Sequence, residues 1–298
     1  MNDVAILGGG PAGLQSALTL GRMHRSTVLI DSGAYRNAAT SAMHNLVTND
    51  GRAPADFREV ARHEIEEYAS VTSLTGSVTS IAGTPGAFAL ALADGSQIEA
   101  RRVILATGVA DALPAIPGLA EIFGDVVAHC PFCHGHEFAG RRVGILGAGE
   151  HAARLAVMLA PIASEVVVLP GDAAAPDALA RTGALALPGD IARVAEIADG
   201  VEVTFADGRS ERFAGLFTST AWRQAAPFAD DLGLAVSESG GVLVDGFGRT
   251  SAAGIYAAGD IAQPPGLPAP LHSVAMAIST GMLAAAACVQ DEVTAVRG

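Results

Sequence analysis

The amino-acid sequence predicts an α/β fold of two domains, one nested inside the other. Three observations predict it. A short apolar run, Val4–Leu7, leads into Gly8-Gly9-Gly10-Pro11-Ala12-Gly13 and then an apolar-periodic helix. The same strand–glycine–helix pattern returns at Val143-Gly144-Ile145-Leu146 and Gly147-Ala148-Gly149-Glu150-His151-Ala152. Each copy also carries a hairpin with an Asp-Gly turn, at Asp94-Gly95 and at Asp207-Gly208. The chain thus holds two copies of one architecture, a Rossmann-like nucleotide-binding sheet with an added hairpin layer, three layers (ββα) in all.

Taken in order, the first βαβ unit closes with the strand Thr27–Ile30 and the acid Asp31. Gly8 permits the tight turn, Gly10 lets backbone approach a pyrophosphate, and Gly13 lets the helix pack on the strand. The helix N-terminus adds N–H donors and a positive dipole end. Asp31 is placed to accept from a ribose hydroxyl. Residues 35–52 read as irregular, Ala53–Ala69 as a helix and Val71–Ala82 as strand. Phe88–Leu92 and Gln97–Ala100 form the first hairpin, and Arg102–Leu105 a strand ending in the tight turn Ala106-Thr107-Gly108. Pro114, Pro117 and Gly118 mark a linker. The inserted domain is expected over 114–241, with the first domain split into 1–113 and 242–298. After the second glycine turn come a helix, Ala153–Ala160, and a strand, Glu165–Leu169. The strand Ile255–Ala258, the pair Gly259-Asp260 and a proline-rich loop lead to Leu271-His272-Ser273, which opens the last helix.

Half the residues are hydrophobic, enough for two cores, and the net charge is −13. An acidic chain has no basic patch to neutralise phosphates, which excludes nucleic acid and anionic membrane as partners. The most apolar segment, Val274–Val289, is broken by Ser279, Thr280 and Gly281 and reads as a buried helix, not a bilayer span. There is no basic leader before an apolar run, and three cysteines make no structural disulfide framework. A cytoplasmic location and a catalytic disulfide are the expectation.

The chemistry concentrates in His129-Cys130-Pro131-Phe132-Cys133-His134-Gly135-His136-Glu137. Two cysteines with two residues between them can close a small disulfide suited to thiol–disulfide exchange. A thiol with a pKa near ~8.5 is mostly protonated at neutral pH, whereas histidine sits near ~6.5. His134, next to Cys133, is therefore the candidate base, with Glu137 or His136 to orient it. The alternative is that these histidines cap a helix starting near Cys133. His129 lies on the other side of the pair. Zinc would need four ligands, and neither a second C-x-x-C nor a spaced His pair supplies them, so no metal is expected. Cys288 reads as a small core residue.

Gly8–Gly13, the inserted Gly147–Ala152, the C-x-x-C and Gly259-Asp260 together resemble the low-molecular-weight thioredoxin reductases, over essentially the whole chain. The run Cys-Pro-Phe-Cys-His-Gly-His-Glu is similar to that of the small-molecule dithiol oxidases of gliotoxin and holomycin type. Arg36-Asn37, His44-Asn45 and Asp50-Gly51 match their early loop. The resemblance implies FAD on the first domain. Its binding residues would be Gly8, Gly10, Pro11, Ala12, Gly13, Asp31, Ser32, Arg36, Asn37, His44, Asn45, Val78, Ala106, Thr107, Gly108, Gly259, Asp260, His272, Ser273 and Val274. Asp260 would meet the ribityl chain, and the N–H groups of the last helix the electron-rich edge of the flavin. Cys133 would face the flavin and Cys130 would be the outer sulfur. A homodimer is also implied.

Two departures from the reductases stand out. His134 occupies the place of their Asp. The second nucleotide strand ends Leu169-Pro170-Gly171-Asp172-Ala173, without the reductases' arginine cluster, and no arginine follows until Arg181. A 2′-phosphate calls for fork-shaped cationic donors, so this counts against NADP(H). The expected function is therefore FAD-dependent oxidation of a small-molecule dithiol through Cys130–Cys133, with dioxygen as acceptor. The alternative is an NADPH- or ferredoxin-dependent thioredoxin-type disulfide reductase. A flavin-bound redox sensor without turnover is the reading from another class. Phe132, Tyr35, Met43 and His44 are candidate pocket walls.

Overall fold

The computed structural model describes residues 1–173, 179 and 182–297, so Arg181 lies outside the described residues. The chain divides into two compact units. The first comprises Met1–Arg36, Ala55–Ala110 and Arg223–Gly298; the second comprises Asn37–Pro54 and Asp111–Trp222.

In the first unit, β1 (Asn2–Leu7), α1 (Pro11–Arg22) and β2 (Thr27–Asp31) form the βαβ element, followed by α2 (Pro54–Glu66) and β3 (Val71–Thr75). The expected strand Val71–Ala82 is two strands. Gly76 breaks it, and β4 (Val78–Thr84) pairs antiparallel with β5 (Ala87–Leu92) instead of continuing the parallel sheet. β6 (Gln97–Leu105) is one strand where the sequence suggested two. Ala100 is the joint, pairing with Asn2 of β1 and with Phe88 of β5, so one strand serves both the parallel sheet and the hairpin layer. The sheet runs β3-β2-β1-β6-β5-β4, and a late strand, β18 (Ile255–Ala257), adds in parallel to the second half of β6. Val4–Leu7 is buried throughout, as expected of a parallel strand covered on both faces.

The last helix, α6 (Val274–Arg297), is longer than the apolar segment that announced it. By length and composition Val274–Val293 would pass for a membrane span. In this unit it is a core helix, packing Ala277, Ala284, Ala285, Ala287 and Cys288 with Ala12, Leu14, Ala17 and Leu20 of α1. The approach is close because residue 281 is glycine. A Cβ there would lie 2.2 Å from the Ala12 carbonyl oxygen, and Ser16 Oγ instead donates to the Gly281 carbonyl at 2.9 Å. Ser273 caps α6 by accepting the Met276 N–H at 3.1 Å.

The chain leaves this unit through β7 (Val109–Ala112) and returns through β16 (Ala221–Gln224), which pair with each other. The second unit holds β8 (Val127–Ala128), α3 (Pro131–His134), β9 (Arg142–Leu146), α4 (Glu150–Leu159), β10 (Glu165–Leu169) and β11 (Leu185–Ala186). An antiparallel layer, β12 (Ile191–Ile197), β13 (Gly200–Phe205) and β14 (Ser210–Phe213), precedes β15 (Gly215–Thr218). The parallel sheet is ordered β11-β10-β9-β15-β8. One face packs on α4 through Ile145, Leu155 and Leu159, and the other on the antiparallel layer through Val167, Val203 and Phe205. These are the three layers expected.

The domain limits differ from the expectation at two places. Residues 37–54 cluster with the second unit, because Ser41 donates its N–H and hydroxyl to Asp125 at 3.0 Å and the Ala39 carbonyl lies against Gly124. Residues 223–241 cluster with the first unit, because α5 (Phe228–Asp231) and the residues after it are tied to its later strands. Ala235 N–H donates to Ser251 Oγ at 2.9 Å, and Val236 bridges Val242 of β17 (Val242–Leu243), which pairs with β19 (Ala262–Gln263).

Candidate redox and nucleotide sites

Cys130 and Cys133 form a disulfide, with α-carbons 5.3 Å apart. Cys130 is the N-cap of α3, and its carbonyl accepts from the N–H groups of Cys133 and His134, both at 3.1 Å. Pro131 at the first helical position suits this start, since it lacks the N–H that would be orphaned there. Phe132, between the cysteines, is 69% exposed.

The His134 ring is partly buried, and burial pushes its pKa below that of ordinary histidine, against the opposing pull of the Gly124 carbonyl, Glu137 and Asp125. Its Nε2 lies 3.4 Å from Thr40 Oγ1, and its Nδ1 is buried without a hydrogen-bond partner among the described residues. Glu137 does not hydrogen-bond to His134. It faces His44, 3.5 Å from Nε2, while His44 Nδ1 lies 3.6 Å from Asp50. The two imidazoles meet edge-on with centroids 6.4 Å apart. His136 is exposed, and His129 stacks on Phe123. Of the predicted redox residues the fold therefore keeps the cysteines, His134 and Glu137 in one unit, and it adds His44 and Asn45, which were expected as cofactor-binding residues, with Asn45 held beside Asp50 by its N–H at 2.7 Å. Asn37 belongs to the same segment.

In the first unit the glycine turn divides its work as chemistry requires. A Cβ on Gly8 would lie 2.3 Å from the Ala106 carbonyl oxygen, and one on Gly13 would lie 1.8 Å from that of Gly8. A Cβ on Gly10 would meet no described heavy atom within 4 Å. α1 begins at Pro11 without a side-chain cap among the described residues, which leaves its first N–H groups without a side-chain acceptor. Ala106, Thr107 and Gly108 lie across the turn, Gly108 at φ +70° with open space before it. The crevice lies where β1 and β6 end, at the point where strand order reverses. Gly259 adjoins Ala12, and Arg36 pairs with Asp260 at 2.9 Å. Ser273 and Val274 open α6, with His272 just before them. Ser32 is exposed, and Val78 begins β4. These groups fit a flavin dinucleotide, whose pyrophosphate the α1 N–H groups would hold.

Asp31 is more occupied than expected. It accepts from Tyr35 Oη, from Arg62 at 2.8 Å and from Gly33 N–H at 3.1 Å. Burial raises its pKa, but these donors outweigh burial and hold it below the usual carboxylate value. Arg58 stacks on the Tyr35 ring at 3.9 Å. Tyr35 is thus part of an arginine-bearing cluster and not only a pocket wall. The spacing of Arg58 and Arg62, one helical turn apart, was the available signal. Thr40 and Asp125 had none, since no motif marks them.

In the second unit, Gly147 (φ +106°) and Gly149 (φ +86°) each have open space where a Cβ would stand. Gly149 starts α4, which also lacks a side-chain cap among the described residues. Beside them a hollow of about 240 Å³ is lined by Leu146, Gly147, Leu169, Pro170, Gly171 and Ser219, at the ends of β9, β10 and β15. It too marks a reversal of strand order.

Two Rossmann-like units, one bearing a redox disulfide, define a disulfide oxidoreductase of the FAD-dependent kind. A family model described as pyridine nucleotide-disulphide oxidoreductase matches residues 2–288, and the chain belongs to that family. It is 35% identical to thioredoxin reductase tcpT of Claviceps purpurea, over 87% of this chain and 86% of that one. A crystal structure of an oxidoreductase from Agrobacterium tumefaciens is 37% identical, with a TM-score of 0.89 over 98% of this chain and 99% of that one. A putative thioredoxin reductase TrxB from Bacillus anthracis, 28% identical, has a TM-score of 0.91 over all of both chains.

These findings correct four expectations. The chain is a flavoprotein of thioredoxin reductase type, and nothing in the comparisons supports kinship with the gliotoxin- and holomycin-type dithiol oxidases. Oxidation of a small dithiol as the reaction is set aside with it. So are the partners expected for that reaction, a small-molecule dithiol and dioxygen, since the relatives bear the name thioredoxin reductase. Finally, the case against NADP(H) fails. The family match covers the whole second turn, and that turn retains open glycines and an uncapped helix. A missing arginine cluster bears on the 2′-phosphate alone. The pyrophosphate would be held by N–H groups such as those that open α4.

Proposed function

We propose that this chain is a thioredoxin-type disulfide reductase, passing electrons from NADP(H) to a disulfide on a small thioredoxin-like protein through Cys130 and Cys133. The observation that carries the reading is a redox disulfide beside a partly buried histidine, in a unit that also has an open dinucleotide cradle. Bound FAD supplies two-electron transfer between the pyridine nucleotide and the sulfur pair.

The chain's own residues do the rest. With the pair reduced, His134 takes the proton of the Cys130 thiol, and the thiolate attacks one sulfur of the substrate disulfide. The departing substrate thiolate takes that proton from the imidazolium. Cys133, as thiolate, then attacks Cys130 in the mixed disulfide, which frees the second substrate thiolate and closes Cys130–Cys133. Two electrons have passed to the substrate. Exposed Phe132 offers an apolar contact for a partner protein beside the outer sulfur. A cytoplasmic setting goes with this reading, since the pair must be re-reduced each cycle.

Anaerobic titration with NADPH should bleach the flavin, and added thioredoxin should then be reduced stoichiometrically. Cys133→Ser should keep the flavin yet lose thioredoxin reduction. A flavin that NADPH leaves fully oxidised would overturn the proposal.

A further inference from the structure

The surroundings of His134 determine which ring nitrogen carries the proton. Thr40 Oγ1 is 2.9 Å from the Ala42 carbonyl oxygen, 3.2 Å from Asp125 Oδ1 and 3.4 Å from His134 Nε2. A hydroxyl has one proton to donate and two lone pairs with which to accept. The Ala42 carbonyl has no proton to give, and Asp125 Oδ1 already accepts from Ser41 N–H and Ser41 Oγ. Both oxygens lie closer to Thr40 Oγ1 than His134 Nε2 does, and the nearest acceptor is the Ala42 carbonyl, so the single Thr40 proton is assigned to an oxygen. Toward His134 the hydroxyl is left as acceptor, which puts the proton of the neutral ring on Nε2. Nδ1 is then a bare lone pair, buried and without a hydrogen-bond partner among the described residues, while the Gly124 carbonyl, an acceptor, favours the protonated ring.

We propose that Thr40, anchored by Asp125 and the Ala42 carbonyl, is a positioning residue. It fixes His134 in the Nε2–H tautomer and leaves Nδ1 as the atom that takes the thiol proton. The proposal rests on the reading of His134 as the acid–base group. When Nδ1 takes that proton the ring becomes a cation, and the carboxylates that face it, Glu137 and Asp125, stabilise it. His44, held between Glu137 and Asp50, opposes that charge when it is itself protonated. Asp125 thus has two effects, one through Thr40 on the tautomer and one through space on the charge.

The test uses the holoenzyme with ring-¹⁵N-labelled histidine, the His134 signals being assigned by their loss in His134→Gln. The expected spectrum at neutral pH has a protonated Nε2 and a pyridine-type Nδ1. In Thr40→Val the two tautomers should mix, and kcat for thioredoxin reduction at pH 7 should fall by about tenfold, within the range of general acid–base effects. KM for NADPH should not change. Thr40→Ser, which keeps the hydroxyl, should restore both the spectrum and the rate. A wild-type ring protonated on Nδ1, or a Thr40→Val protein with wild-type spectrum and rate, would overturn the proposal. Should His134→Gln keep the full rate, the reading of His134 as base fails; the spectrum still reports separately whether Thr40 controls the ring.

Discussion

The pKa of His134 is set by a contest between solvent loss and charge. Burial lowers it most, while the Gly124 carbonyl, Glu137 and Asp125 raise it, and the net direction is down. A base works when deprotonated, so activity should persist to lower pH than an ordinary histidine with a pKa near ~6.5 would allow, then fall as pH drops through the depressed value. The acid limb of kcat/KM should therefore lie below about 6.5, and it should vanish in His134→Gln. Stability has the same sign. The unfolded chain binds this proton more readily than the folded one, so the His134 contribution is constant above the unfolded value of ~6.5. It is lost progressively as pH falls from there to the folded value. Urea midpoints for wild type and His134→Gln should diverge only in that window.

Within the first glycine turn, three residues of one type do three jobs, and substitutions can separate them. Gly13→Ala would drive a methyl to 1.8 Å from a backbone oxygen that cannot move without opening the turn. It should cost about 2–3 kcal/mol of stability, read from chemical denaturation. Gly10 has ordinary backbone angles, φ −75° and ψ −178°, and its Cβ would enter open space. Gly10→Ala should therefore fold with stability changed by no more than about 0.5 kcal/mol. It should bind FAD at least about tenfold more weakly, read by flavin fluorescence, because the methyl occupies the approach to the α1 N–H groups. The same logic fixes α6. Gly281 and Ser16 let two helices meet at backbone distance, which an alanine at 281 would push apart.

At the scale of the whole chain, one architecture occurs twice, and the two copies receive different inputs. Gly149 sits at φ +86° and ψ −168°, an essentially glycine-only region that costs another residue about 1–3 kcal/mol. Gly149→Ala should therefore distort the second cradle alone. Flavin reduction by NADPH should slow by about tenfold, while reduction by dithiothreitol through Cys130–Cys133 should keep its wild-type rate. Stopped-flow absorbance with each reductant measures both.

The sequence by itself determined the two-copy α/β architecture, the redox pair and the glycine turns, because these depend on local periodicity and fixed spacing. It also offered the reductase reading, as an alternative. It misjudged what depends on chain segments meeting across long separations. Residues 37–54 look like a loop of the first domain, yet Ser41 and Thr40 are bound to Asp125, and only that meeting brings a hydroxyl to His134. Glu137 reads as the partner of His134 by proximity in sequence, but folding turns it toward His44. Side-chain partners are chosen by tertiary packing, which a linear motif does not encode. The tertiary structure decided the tautomer for the same reason, since a ring proton follows whichever acceptor the fold delivers to it.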